Sequence, residues 1–278
     1  MRRFSVVIVS YNVAPLLARC LDFVLAQSTE DDEIVVVDNA SHDGSPALVQ
    51  RDYPAVQLIA GQTNLGFGAG CNRGIAATSG SYVLLLNPDC ELAPGSLDGF
   101  QRFMEAHPRC AVAGGRLRYA DGSFQHASFR FPTLLQVALD FWPINWRLTE
   151  SRLNGRYPRA WDERAFEIDH PLGALMCVRR AAIDAVGGFD EAYFMYAEEV
   201  DWCLRFKRAG WQVWHCPNAL AVHHGGQSTR QHVAAMFEQL HRSRFRLYAQ
   251  HYPRWFSLAA RAIVRCGHAW RALRARQA

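Results

Sequence analysis

The eight cysteines of this 278-residue chain, at positions 20, 71, 90, 110, 177, 203, 216 and 266, form no Cys-x-x-Cys pair. Their scatter speaks against a zinc module or a disulfide-stapled mini-domain and fits reduced thiols in the cytosol. Nowhere do about 18 apolar residues follow one another, so no segment reads as a membrane span. The basic start, Met1-Arg2-Arg3, precedes an apolar run of only six residues, Phe4 to Val9, which Ser10-Tyr11-Asn12 closes. That is the pattern of a first strand, not of a signal peptide. The turn after it carries no glycine, and Cys71 stands where Gly66-x-Gly68 would need a third one, so the dinucleotide-binding fingerprint is absent. What the chain does have is apolar mass: half of its residues are apolar, enough for one large core or a domain with an appendage.

No acidic residue follows Glu238, whereas nine arginines do (242, 244, 246, 254, 261, 265, 271, 274 and 276), leaving 21 basic against 26 acidic residues elsewhere. Phe245, Tyr248, Trp255, Phe256 and Trp270 are interleaved with them, so residues 230–278 read as a basic, aromatic-bearing helical region. Such a region either lies on anionic lipid, as a peripheral contact with the inner face of the membrane, or packs on the main domain and shows its arginines to water. Nucleic acid is not expected as a partner, because no binding module is recognisable and the remaining surface is net acidic.

Upstream, strand and helix alternate. Phe4 to Val9 predicts a strand, and Leu17, Cys20, Leu21 and Val24 recur at helical spacing after it. Ile34 to Val37 is a second strand, ending in Asp38; Asp43 and Ser45 are placed to cap the next helix. Asp38 is suited either to accept from a base edge or ribose, or to close an Asx turn. Val56 to Ala60 leads into a glycine-rich stretch around Gly70, where glycine permits close approach of a nucleotide at a helix start. Tyr82 to Leu86 then reads as a buried strand that ends abruptly in Asn87-Pro88-Asp89. Proline removes a donor and fixes the bend, so Asn87 and Asp89 can face one oxygen-rich site for a hard cation; a plain turn is the other reading. A helix over Pro94 to Ala106 and a strand near Ala111 to Leu117 complete this half.

Taken together, these motifs resemble glycosyltransferase family 2. The resemblance rests on Val-Ser-Tyr-Asn at 9–12, Val-Val-Asp-Asn-Ala-Ser-x-Asp-Gly-Ser at 36–45, Asn64-x-Gly66-Phe67-Gly68 with Asn72-x-Gly74, and Leu-Asn-Pro-Asp at 86–89. Gly-Gly-Phe-Asp-Glu at 187–191, Glu198-Glu199-Val200-Asp201-Trp202 and His223-His224-Gly225-Gly226-Gln227-Ser228 narrow it to rhamnosyltransferase-like members. It implies a GT-A fold: a mixed, mostly parallel α/β sheet flanked by helices. Residues 1–229 would form that domain, with a nucleotide-binding half over 1–118 and an acceptor and catalytic half over 119–229. It also implies a nucleotide-diphosphate-sugar donor, dTDP-rhamnose favoured over a UDP-sugar, a saccharide or lipid-linked acceptor, and an Mg²⁺ or Mn²⁺ ion. By that likeness Ser10, Tyr11 and Asp38 line the nucleoside pocket, Asn64 and Asn72 border the donor, and Asn87 and Asp89 occupy the place of the family's Asp-x-Asp motif. An amide at 87 departs from that motif, which leaves Asp89 as the ligand. His223 rather than His224 is the implied second ligand, while Gly225, Gly226 and Ser228 would face the pyrophosphate.

Proton removal from an acceptor hydroxyl needs a carboxylate, and Glu198, Glu199 and Asp201 are the candidates. Asp201 can pair with Arg205 at i,i+4, and the family's acidic pair places the base at its second member, Glu199. An acidic first turn serving only the helix dipole is the other reading. Inversion at the anomeric carbon follows from in-line attack. Asp121-Gly122 predicts a hairpin turn, and the aromatic stretch through Phe141-Trp142-Pro143-Ile144-Asn145-Trp146 reads as an acceptor-side lid or a core-covering insert. Two other functions stay open. A sugar nucleotidyltransferase would want an N-terminal lysine, but the only lysine is Lys207; a non-catalytic nucleotide-sugar-binding scaffold is suggested by Asn87 and Glu199.

Overall fold

The computed structural model describes residues 3–142, 151–225 and 233–275. Three strand-helix units open it: β1 (Phe4–Ser10) with α1 (Ala14–Leu25), β2 (Glu33–Asp38) with α2 (Ser45–Asp52), and β3 (Gln57–Ala60) with α3 (Phe67–Ala76). β4 (Tyr82–Leu86) turns through Asn87-Pro88 into short β5 (Cys90–Leu92), then come α4 (Ser96–Ala106) and β6 (Cys110–Arg118). The following segment holds β7 (Phe124–Gln125), β8 (Ser128–Phe129), α5 (Leu134–Leu139), β9 (Phe166–Glu167) and β10 (His170–Pro171). β11 (Leu175–Arg179), α6 (Arg180–Val186), α7 (Glu198–Arg208), β12 (Gln212–His223), α8 (Val233–His251) and α9 (Arg254–Ala275) complete the chain.

The sheet runs β3-β2-β1-β4-β11-β6-β12-β5, with β7 beside β6 and β9 beside β12. It is parallel from β3 to β4 and again between β6 and β12, while β11 enters antiparallel. Successive strand residues face opposite ways, which builds two apolar layers. Val6, Ile8, Leu84 and Leu86 join Leu17, Leu21 and Phe100 on one face; Val7, Val83 and Leu85 join Cys71, Trp202 and Phe206 on the other. Asp43 ties two helix starts together, since its carboxylate accepts from the Ala14 and Ser45 amides and from Ser45 Oγ. The hairpin at Asp121-Gly122 is present, with Gly122 at φ +77 and β7 antiparallel to β6.

The C-terminal region packs back on this body. Leu247, Tyr248, Phe256, Ala260 and Val264 are buried in a third cluster with Val137, Phe141, Tyr193, Ala197 and Val200. Polar clasps reinforce it: Ser243 Oγ donates to the Met195 carbonyl at 2.7 Å and Arg246 pairs with Asp190 at 2.9 Å. Trp255, Leu258 and Leu273 stay exposed on α9. No described helix is long and apolar enough to cross a membrane.

Candidate active site

From β1 the chain reaches β2 on one side and β4 on the other, and a crevice opens at such a switch point beyond the strands' carboxyl ends. Here it is a cleft of about 480 Å³. Ser10 and Tyr11 enter from the end of β1, Asn87 and Asp89 from the end of β4, Asn64 and Gly66 from the loop before α3, Glu198 and Glu199 from the start of α7, and His223 from the end of β12. Ser10 Oγ is buried and has no partner among the described residues.

One corner joins Asp89 and His223. Antiparallel pairing of β12 with β5 sets His223 opposite Cys90, and His223 Nε2 lies 3.3 Å from Asp89 Oδ1. The other ring nitrogen, Nδ1, faces the Gln125 side-chain amide, and donating its proton to Oε1 at 3.3 Å leaves the lone pair on Nε2. Nε2 itself is buried without a hydrogen-bond partner among the described residues, the state in which an oriented imidazole is available to a cation. Asp89, Cys90 and His223 bring their ligand atoms within 4.8 Å of one another, but the Cys90 thiol is directed to the Ala174 carbonyl at 3.4 Å and burial pushes its pKa far up. A carboxylate and an imidazole, without the thiol, fit Mg²⁺ or Mn²⁺. His224 leaves the cleft and bonds Glu91 at 2.6 Å.

The second corner holds two carboxyls. Tyr196 and Ala197 precede them with φ +68 and +66, two consecutive side-chain-bearing residues in the left-handed region, an arrangement that persists only where surrounding contacts enforce it. Gly66 is part of that enforcement: the Phe67 amide donates to the Phe194 carbonyl at 3.0 Å, and a Cβ on Gly66, at φ +88, would lie 2.0 Å from that oxygen. Glu198 is buried and its Oε2 has no partner among the described residues. Burial, then the charge of Glu199, raises the Glu198 pKa well above the ordinary carboxylate range. Burial lifts Glu199 from 4.5 to about 7, against the backbone amides and Arg244 that pull it down. Glu199 therefore titrates near neutrality, and Glu198, raised by burial and by its neighbour's charge, is the one that keeps its proton.

Four residues expected at the site stand off the cleft. Gly70 serves helix-on-strand packing, since a Cβ there would lie 2.8 Å from Val9 Cγ1. Asn72 clamps Phe189, donating to its carbonyl at 3.0 Å and accepting from its amide at 2.9 Å. Asp201 accepts from Arg205 Nε at 2.8 Å and from His251 Nε2 at 2.6 Å, a buried knot between α7 and α8 that points away from Glu199. Asp38 accepts from the Ser41 amide at 2.8 Å, three residues on; its other oxygen is buried, on the residue paired with Ser10, and has no partner among the described residues. In its place Asn39 lines the cleft, bonding the Gly66 carbonyl at 2.9 Å. Asn39 sits inside the Val-Val-Asp-Asn motif and was visible there; Gln125, which orients His223, had no local signal. Gly226, Ser228 and Pro143 to Trp146 lie outside the described residues.

One switch-point cleft of a mostly parallel sheet thus gathers a carboxylate-imidazole pair and a carboxyl pair. The family model described as Glycosyl transferase family 2 matches residues 5–187. N-acetylglucosaminyl-diphospho-decaprenol L-rhamnosyltransferase of Mycobacterium tuberculosis is 31% identical over 94% of this chain and 88% of its own length. Rhamnosyltransferase WbbL of Escherichia coli is 26% identical over 88% and 92%. The mannosyltransferase PcManGT from Pyrobaculum calidifontis, solved with GDP-Man and Mn²⁺, superposes with a TM-score of 0.63 at 18% identity, over 97% of this chain and 76% of that one. The chain belongs to glycosyltransferase family 2 and has the GT-A fold.

Proposed function

We propose that the protein transfers rhamnose from dTDP-rhamnose, with inversion, to the sugar of a lipid-diphosphate-linked saccharide, and that Glu199 is the base. The observation that carries this reading is the meeting of Glu199, titrating near pH 7, with the Asp89–His223 pair in one cleft. Rhamnose is suggested by the names of both relatives, each similar along nearly its full length, and the lipid diphosphate by the name of the Mycobacterium tuberculosis relative.

Asp89 and His223 would hold a divalent cation, which when bound supplies positive charge against the departing diphosphate. The chain's own residues do the rest. Ser10, Tyr11, Asn39 and Asn64 receive the nucleoside at the β1 end. Glu199 Oε takes the proton from the acceptor hydroxyl as the new C–O bond forms opposite the leaving group. Glu198, protonated beneath it, adds no second negative charge to the site, so Glu199 ionises alone. Leu172, Phe194 and Met195 give the cleft an apolar wall beside the carboxyl pair.

The test is a donor panel of dTDP-, UDP- and GDP-sugars with Mn²⁺ or Mg²⁺ and a short-prenyl diphospho-N-acetylglucosamine acceptor, the product anomer read by NMR. Inverted rhamnosyl product from dTDP-rhamnose is expected. Transfer from another donor, or a retained anomer, refutes the assignment; no transfer and no donor hydrolysis refutes catalysis at this cleft.

A further inference from the structure

The segment from β6 to β10 carries more cations than its neighbouring acids pair. Asp162 accepts from Arg116 Nε at 2.9 Å and Arg118 Nη2 at 2.6 Å, Glu163 from Arg116 at 3.2 Å, and Asp169 from Lys207 at 2.7 Å. Arg130, Arg152, Arg159 and Arg164 are exposed and have no carboxylate partner among the described residues. Each lies over an aromatic ring instead. Arg130 is 5.3 Å from the Tyr157 centroid, Arg152 and Arg164 are 4.9 and 4.4 Å from that of Trp161, and Arg159 is 5.4 Å from that of Phe124. The rings form one ridge, because Tyr157, Trp161 and Phe166 meet one another in tilted and edge-to-face geometry with centroids 5.1 to 6.3 Å apart, and Arg159 and Trp161 share a single 3-10 turn.

Stacking uses the face of a guanidinium and leaves its N–H edge free, and it restrains a side chain that would otherwise lose much entropy on binding. Four such edges make a site for a compact, multiply charged oxyanion. The segment that carries the ridge also reaches the cleft. Gln125, which follows Phe124, bonds His223, and Leu172 to Ala174, which follow β10, wall the cleft. Leu153, next to Arg152, is 53% exposed and offers an apolar surface at the outer end. We propose that this arginine-aromatic ridge binds the diphosphate of the acceptor, with the lipid chain leaving past Leu153. The inference rests on the proposed function for the existence of a lipid-diphosphate acceptor; the site itself is carried by the four arginines that have no carboxylate partner among the described residues.

Two double variants test it, Arg152→Gln with Arg164→Gln and Arg130→Gln with Arg159→Gln; Arg254→Gln with Arg265→Gln removes equal charge from α9 as a control. Binding of short-prenyl diphospho-N-acetylglucosamine is measured by calorimetry, alongside KM for it and for octyl N-acetylglucosaminide, which lacks phosphate. Each ridge variant should weaken binding and raise KM for the diphosphate about tenfold or more, with kcat, the octyl glycoside and donor hydrolysis unchanged. The control should change nothing. Equal losses for both acceptors, or none, overturn the proposal. Should the ridge variants lose only sedimentation with phosphatidylglycerol vesicles, the anion bound is a lipid headgroup and the proposal also fails. If wild type transfers no sugar, the function reading fails separately, while calorimetry still decides whether the ridge holds the diphosphate.

Discussion

Exchanging Glu199 for glutamine separates what this side chain does for the fold from what it does in the reaction. Raising a buried carboxyl from 4.5 to about 7 corresponds to at most about 3 kcal/mol. The sign follows from proton binding. The folded protein holds this proton more tightly than the unfolded chain, so the favourable contribution is complete below about pH 4.5 and is lost as pH rises through about 7. Glutamine mimics the protonated form and escapes that loss. In urea melts, Glu199→Gln should match wild type near pH 4.5 and exceed it by up to about 3 kcal/mol at about pH 8. Its transfer rate should nevertheless drop by about 10²–10⁴-fold, and wild-type kcat/KM should climb about tenfold between about pH 6 and pH 8 as Glu199 ionises. A variant less stable than wild type at about pH 8, or a wild-type rate flat across neutrality, would refute the reasoning.

Nucleotide binding should depend on the metal corner: at a hundredfold excess over Kd, a nucleoside diphosphate with Mn²⁺ stabilises by about 2.7 kcal/mol. In thermal shift that increment should vanish in Asp89→Ala and in His223→Ala, and its survival in either would remove that residue from the ligand set. Gly66→Ala should cost about 3 kcal/mol in chemical denaturation, since the new Cβ meets the Phe194 carbonyl at 2.0 Å in a left-handed conformation; an unperturbed melt would show that the loop yields freely. Asp201→Ala strands Arg205 and His251 and should cost about 3–5 kcal/mol. Its kcat per folded molecule should stay near wild type, and a catalytic loss as deep as that of Glu199→Gln would return Asp201 to the reacting groups.

The strands were legible because burial on both faces writes them as unbroken apolar runs; Tyr82 to Leu86 is fully buried and has the bounds its composition suggests. The cleft residues at strand ends, Ser10, Asn87 and Asp89, were legible for the same reason, since polarity switches where chain leaves core. Gly70 and Asn72 stand in the motif yet lie off the cleft, Gly70 against Val9 and Asn72 bonded to Phe189: adjacency in sequence does not separate a helix's ligand face from its core face. Asp201 shares a first turn with Glu199 but turns about 200° around the helix, toward α8. What could not be read locally was anything made by long-range contact. The Gly66–Phe194 apposition and the Gln125–His223 bond both depend on how distant strands register. The basic tail gave a helix but not its partner, and only the structure shows Tyr248, Phe256 and Ala260 buried against Tyr193 and Val200.

The hydrogen bond from Gln125 to His223 spans 98 residues of sequence. It means that the segment after β6, which by length and composition looks like an exchangeable acceptor module, carries one of the groups that fixes the imidazole. Chimeras that graft a relative's acceptor segment should therefore cut after Gln125, keeping the β6–β7 hairpin with the host. A junction placed at Arg118 would import a foreign orientation for His223 along with the new specificity, and a loss of turnover there would be mistaken for a mismatched acceptor.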